Sequence, residues 1–149
     1  MTLKQKIHRH YSQLLQDKID VFRDRITALT EDAKNDAKGS AGDKHETALS
    51  MMHIEQEKLN HKVAEFLEQK TVLDKINPTA DSTKIGLGSL VQANGMLLYV
   101  STALPKIIVD DKTIIAVSLQ SPLGNQLLGK SVGFTFEIHG TSYVIEKVE

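Results

Sequence analysis

"KGSAGDKHET", residues 38–47, holds Gly39 and Gly42, the only glycines before Gly86. Long helix-favouring sequence without proline flanks it on both sides. On the N-terminal side, Leu15, Phe22 and Leu29 recur every seven residues, and Ile19, Ile26 and Ala33 form a parallel row four residues along. Together they make one apolar stripe on a helix from about residue 3 to 37. On the C-terminal side, Met52, Leu59, Phe66 and Leu73 repeat in the same way, with Leu49 and Val63 beside them and Gln56 and Lys70 interrupting the companion row. That predicts a second helix over about 44–74. Neither helix can keep its stripe in water alone. A short connection at 38–43 therefore predicts an antiparallel coiled coil, its arms roughly 45–50 Å long at 1.5 Å per residue, with KGSAGD at the turn.

The rest of the chain follows a different grammar. All three prolines and the other seven glycines lie in residues 77–149, and such a shift marks a change of architecture. Residues 77–83 (NPTADST) are the expected linker between the helical part, 1–76, and a second domain, 84–149. Within that domain, Asn94-Gly95 between apolar runs is a hairpin signal. A second hairpin is expected around Asp110-Asp111-Lys112, and a third around His139-Gly140. SPLGNQLLGK, residues 121–130, reads as a short helix capped by Ser121, with Pro122 at its first position and Gly129 at its end. Gly86 and Gly88 mark a bend or bulge rather than a phosphate-binding loop, since a strand follows them. The fold class expected is α+β: an N-terminal antiparallel coiled coil, then a small antiparallel sheet with one short helix.

Composition narrows the function classes. The 149 residues are 40% hydrophobic and 25% charged, which is globular. A formal net charge of −1 argues against a broad footprint on naked nucleic acid. Without cysteine there are no disulfides or thiolate metal sites. The opening MTLKQKIHRHYSQ has no apolar core for a signal peptide, and no apolar run approaches the ~20 residues of a membrane span. A cytoplasmic protein is expected.

Asp43 and Glu46 are the residues most suited to chemistry. As Asp-x-x-Glu at a helix start they form a capping box, and both charges favour the helix N-terminus. Two carboxylates at the end of a long hairpin are also hard oxygen ligands of the kind Mg²⁺ takes, with coordination positions left for a partner to fill. His45 beside them is a further ligand or proton-donor candidate. His53 and His61 are about 12 Å apart along one helix, too far for one metal, and His8 and His10 cannot share a face. Lys4, Lys6, Arg9, Lys18, Arg23 and Arg25 are spread along the first helix, either as a solvated face or as a surface for phosphates or an acidic wall. Ser121 is a cap and not a nucleophile, because it lacks a Gly-x-Ser-x-Gly elbow.

Three patches carry a resemblance: GDKHE at 42–46, VLDKI followed by IGLGSLV, and SPLGNQLLGKSVG at 121–133. With the order of the two halves, they make the chain similar to the bacterial Gre-type transcript cleavage factors. The resemblance implies a coiled coil followed by an FKBP-like domain, and RNA polymerase as partner, with the RNA 3′ end and DNA met only through that complex. By the family's logic Asp43 and Glu46 are the catalytic and metal-directing pair. They complete the shell of a Mg²⁺ ion shared with the polymerase, which then hydrolyses its own backtracked transcript. The protein would thus stimulate an enzyme rather than be one. The family continues its tip with Asn-Ala-Glu-Tyr, where this chain has Thr47-Ala48-Leu49-Ser50. A channel-occluding regulator that does not cleave is therefore the alternative. An FKBP-like isomerase would need an aromatic pocket, for which the second half offers Tyr99, Phe134, Phe136 and Tyr143.

Overall fold

A computed structural model describes residues 1–39 and 42–149, with side chains for 1–35 and 46–149. Two long helices, α1 (Leu3–Gly39) and α2 (Gly42–Asp74), precede a six-stranded sheet. Lys38, Gly39, Gly42 and Asp43, expected in the connection, thus fall within helices. Ser40 and Ala41 lie outside the described residues. The chain forms two compact units, Gln13–Lys70 and Met1–Ser12 with Thr71–Glu149. The first turns of α1 and the last of α2 therefore belong with the sheet, where the sequence divides the chain at residues 77–83.

In the unit of residues 13–70, α1 and α2 run antiparallel. Phe22 meets Phe66 edge-to-face at 5.2 Å between centroids, and further along α1 Thr30 meets the earlier residue Gln56 of α2. The apolar rows are those the heptad spacing predicts. Leu15, Ile19, Leu59 and Val63 are buried, while Phe22, Ile26, Leu29 and Ala33 are half-buried. Two helices cannot enclose a seam on every side, so cations help to cover the rings. The Lys18 ammonium lies 5.6 Å from the Phe66 centroid and the Arg25 guanidinium 5.2 Å from that of Phe22.

In the other unit, α1 starts on a capping box: the Thr2 backbone N–H donates to Gln5 Oε1 and the Gln5 N–H to Thr2 Oγ1. The strands are β1 (Leu90–Ala93), β2 (Met96–Ser101), β3 (Ile107–Val109), β4 (Lys112–Ser118), β5 (Thr135–Ile138) and β6 (Thr141–Val148), in the order β3-β4-β2-β1-β6-β5. The first half of β6 pairs with β5 and the second with β1, across a register shift at Gln92/Ala93. Three two-residue turns, Asn94-Gly95, Asp110-Asp111 and His139-Gly140, have positive φ at both positions. That is the geometry matching the strand twist.

The expectation of an antiparallel sheet needs one correction: β2 and β4 pair in parallel, Leu97 opposite Ile114 through Ser101 opposite Ser118. The cause is that β3 does not sit between them. It folds back on the outer edge of β4, which leaves β4 running with β2.

Side chains alternate between the two faces of the sheet. One face carries Val91, Ala93, Leu98, Val100, Val117 and Ile145, packed with Leu127 of α3 (Pro122–Leu127) and with Phe136. The other carries Tyr99, which meets the first turns of α1 through Tyr11 and His8.

Candidate functional site

α2 begins at Gly42, so Asp43 lies inside its first turn and Glu46 one turn on. Residues three apart on a helix share a face. Two acidic residues there suit the positive end of the helix dipole and need no other stabilisation. The Glu46 side chain is exposed. The side chains of Asp43 and His45 lie outside the described residues.

The donor set can be judged by its chemistry. An exposed carboxylate on a helical turn is an oxygen donor that Mg²⁺ accepts, and Asp43 adds a second of the same kind. Two carboxylates fill only part of a six-oxygen shell. The pair fits a metal whose other ligands come from elsewhere.

The remaining candidates are scattered. Ser121 is the N-cap of α3: its hydroxyl donates to the Ser118 carbonyl at 2.6 Å and accepts from the Gly124 N–H at 3.0 Å. Gly88 has φ +90, and a Cβ there would lie 2.7 Å from Ile76 Cγ2, which explains the expected bend. His53 and His61 are exposed, and His61 Nε2 lies 3.3 Å from Glu65. The four aromatics do not gather into a pocket. Tyr99 is fully buried against Tyr11, whereas Phe136 stacks on Tyr143 in the cluster of the opposite face.

Two residues of α1 are more than the sequence suggests. His8 Nδ1 lies 2.8 Å from the Tyr99 hydroxyl. Burial pushes the His8 imidazole below its ordinary value, against a smaller upward pull from Asp74. No local signal could have paired residues so far apart in sequence. Lys4 is 5% exposed, unlike the solvated or partner-facing surface expected of the basic residues along α1. Its signal was present: Lys4, Ile7, Tyr11, Leu15 and Ile19 follow one i, i+3, i+4 stripe, all buried. Lys6, by contrast, is exposed and pairs with Asp110 at 2.8 Å.

No protein-family model matches the chain, and no curated protein matches it significantly.

Proposed function

We propose that the chain is a Gre-like transcription elongation factor that binds RNA polymerase in the cytoplasm and stimulates Mg²⁺-dependent cleavage of backtracked RNA. What carries the proposal is the position of Asp43 and Glu46, in the opening turns of α2 at the turn end of an antiparallel helical hairpin. In this reading the hairpin is the family's coiled coil, and the sheet with α3 is its FKBP-like domain. Support also comes from the SPLG patch, whose Ser121 and Gly124 have demanding local roles at the β4–α3 corner.

The Mg²⁺ would be shared with the polymerase, where it supplies charge neutralisation and an activated water for phosphodiester hydrolysis. Asp43 and Glu46 present two oxygen donors on one helix face. The first turns of α2 fix the spacing of the two residues along the helix. The hairpin carries them; from residue 13 to 39, α1 extends about 40 Å.

The alternative, a channel-occluding regulator without cleavage, is favoured by one observation. Leu49, where the family has its second acid, is half-buried.

One assay separates the two: adding the protein to a backtracked elongation complex and reading transcript length. Cleavage is expected with the wild type. It is expected to vanish with Asp43→Asn or Glu46→Gln, while polymerase binding, followed by co-sedimentation, is retained. Equal cleavage by the wild type and the double variant would sink the metal-directing assignment. Binding without any shortening of the RNA establishes the occluding reading instead.

A further inference from the structure

Lys4 occupies a position where a helix facing a sheet ordinarily places an apolar side chain. It opens the buried stripe continued by Ile7 and Tyr11, and it is itself 5% exposed. Its ammonium has three donors, and the structure gives it one acceptor, the Ala80 carbonyl. Among the described residues no carboxylate forms an ion pair with it; Asp81 and Glu149 act on it only at longer range. A buried cation without a counter-charge is costly. Burial accordingly holds the Lys4 ammonium below the ordinary lysine range, against the opposing pull of those two acids.

Lys4 lines a cleft of about 390 Å³ in the sheet unit, within the size range of small-ligand sites. Its walls include Leu90 and Gln92 of β1, Leu97 of β2 and Leu3 of α1. Lys112 and Lys147 also line it. Lys147 is matched by Glu149, with which it forms an ion pair. Asp81 and Glu149 line it as well. With Glu149 paired to Lys147, the groups left around one space are the Asp81 carboxylate, Lys112 on the exposed start of β4, the buried Lys4 and Gln92. Three lysines against two carboxylates leave the cleft one positive charge in excess, and its mixed polar and apolar lining suits a small ligand of negative charge and mixed polarity.

We propose that this cleft binds a small organic anion, a carboxylate or phosphate head on a short apolar tail, with the Lys4 ammonium as its counter-charge. The head group takes the two ammonium donors that the protein leaves unused, and Lys112 adds a second, exposed contact. The tail lies along Leu90 and Leu97. Lys4 is kept at a core position because it serves the ligand and not the fold. The site is independent of Asp43 and Glu46.

The test is titration of the full chain with butanoate, with butyl phosphate and with neutral butanamide at constant ionic strength. The backbone amide NMR shifts of Leu3, Gln92 and Leu97 are the readout. At least one anion is expected to give saturable shifts, and the tighter of the two identifies the head group. Butanamide is expected to give none. Lys4→Met is expected to raise the melting temperature of the free protein and to weaken anion binding at least tenfold. Lys112→Gln, at an exposed position, weakens it several-fold and reads the site independently. An equal response to butanamide, no saturable shift with either anion, or unchanged affinity in Lys4→Met overturns the proposal.

Discussion

The rings of Tyr11 and Tyr99 lie 8° from parallel with centroids 6.2 Å apart, both fully buried. This stack binds α1 to the middle of β2, and the Tyr11 hydroxyl adds a bond to the Pro105 carbonyl at 2.8 Å. Burial pushes the Tyr11 phenol up to about 12, so it stays a donor throughout the working pH range. Tyr11→Ala should cost roughly 3–5 kcal/mol, as other large-to-small aromatic changes do. Tyr11→Phe keeps the stack and should cost only about 1 kcal/mol for the lost bond. Urea denaturation followed by circular dichroism measures both.

His8 makes the stability of the same contact depend on pH. Its folded-state pKa lies below its unfolded value near 6.5. Above the unfolded value both states are neutral and the contribution is fully present. As pH falls below it, the unfolded chain takes up the proton first, so stability declines until the folded value is passed. In the tautomer whose Nδ1 accepts from the Tyr99 hydroxyl, protonation turns Nδ1 into a donor and leaves that hydroxyl proton to find another partner. Melting temperature is expected to drop between pH 7.5 and 5.5, and His8→Gln should flatten that slope. An unchanged slope would contradict the role given to His8.

Gly124 admits no side chain. A Cβ there would lie 1.8 Å from the Ser118 carbonyl oxygen, because the helix α3 sits hard against the end of β4. Gly124→Ala should destabilise by about 3 kcal/mol or more through backbone displacement. Gly129 has φ +78 but open space around it, so Gly129→Ala should cost only about 1–2 kcal/mol. The ratio of the two losses in chemical denaturation checks the assignment.

Ser101 is 3% exposed, and its hydroxyl has no hydrogen-bond partner among the described residues. Removing an unsatisfied buried hydroxyl relieves its desolvation cost. Ser101→Ala should therefore be neutral or stabilising by up to about 1 kcal/mol, a result that calorimetric melting can read directly.

The helices, hairpin turns and capped α3 were legible because each rests on short-range rules. Heptad spacing sets the stripe from Leu15 to Ala33, Asn94-Gly95 tolerates positive φ, and Ser121-Pro122 starts a helix. Gln56 shows where such rules stop. It interrupts an apolar row, yet its amide donates to Thr30 Oγ1 at 2.8 Å, and the Thr30 hydroxyl in turn donates to the Ile26 carbonyl. The interruption is a polar bond across the helix pair, visible only once the register is known.

The sequence by itself determined the two long helices and the strand-turn pattern of the second half. All of these depend on residues within one or two turns of each other. Tertiary structure alone decided that β4 runs parallel to β2, that the first turns of α1 belong with the sheet, and that His8 meets Tyr99. It also decided that Lys4, one charged residue among several on the same helix, is withdrawn from water. Those outcomes depend on which distant surfaces share their apolar area, and no local spacing encodes that choice.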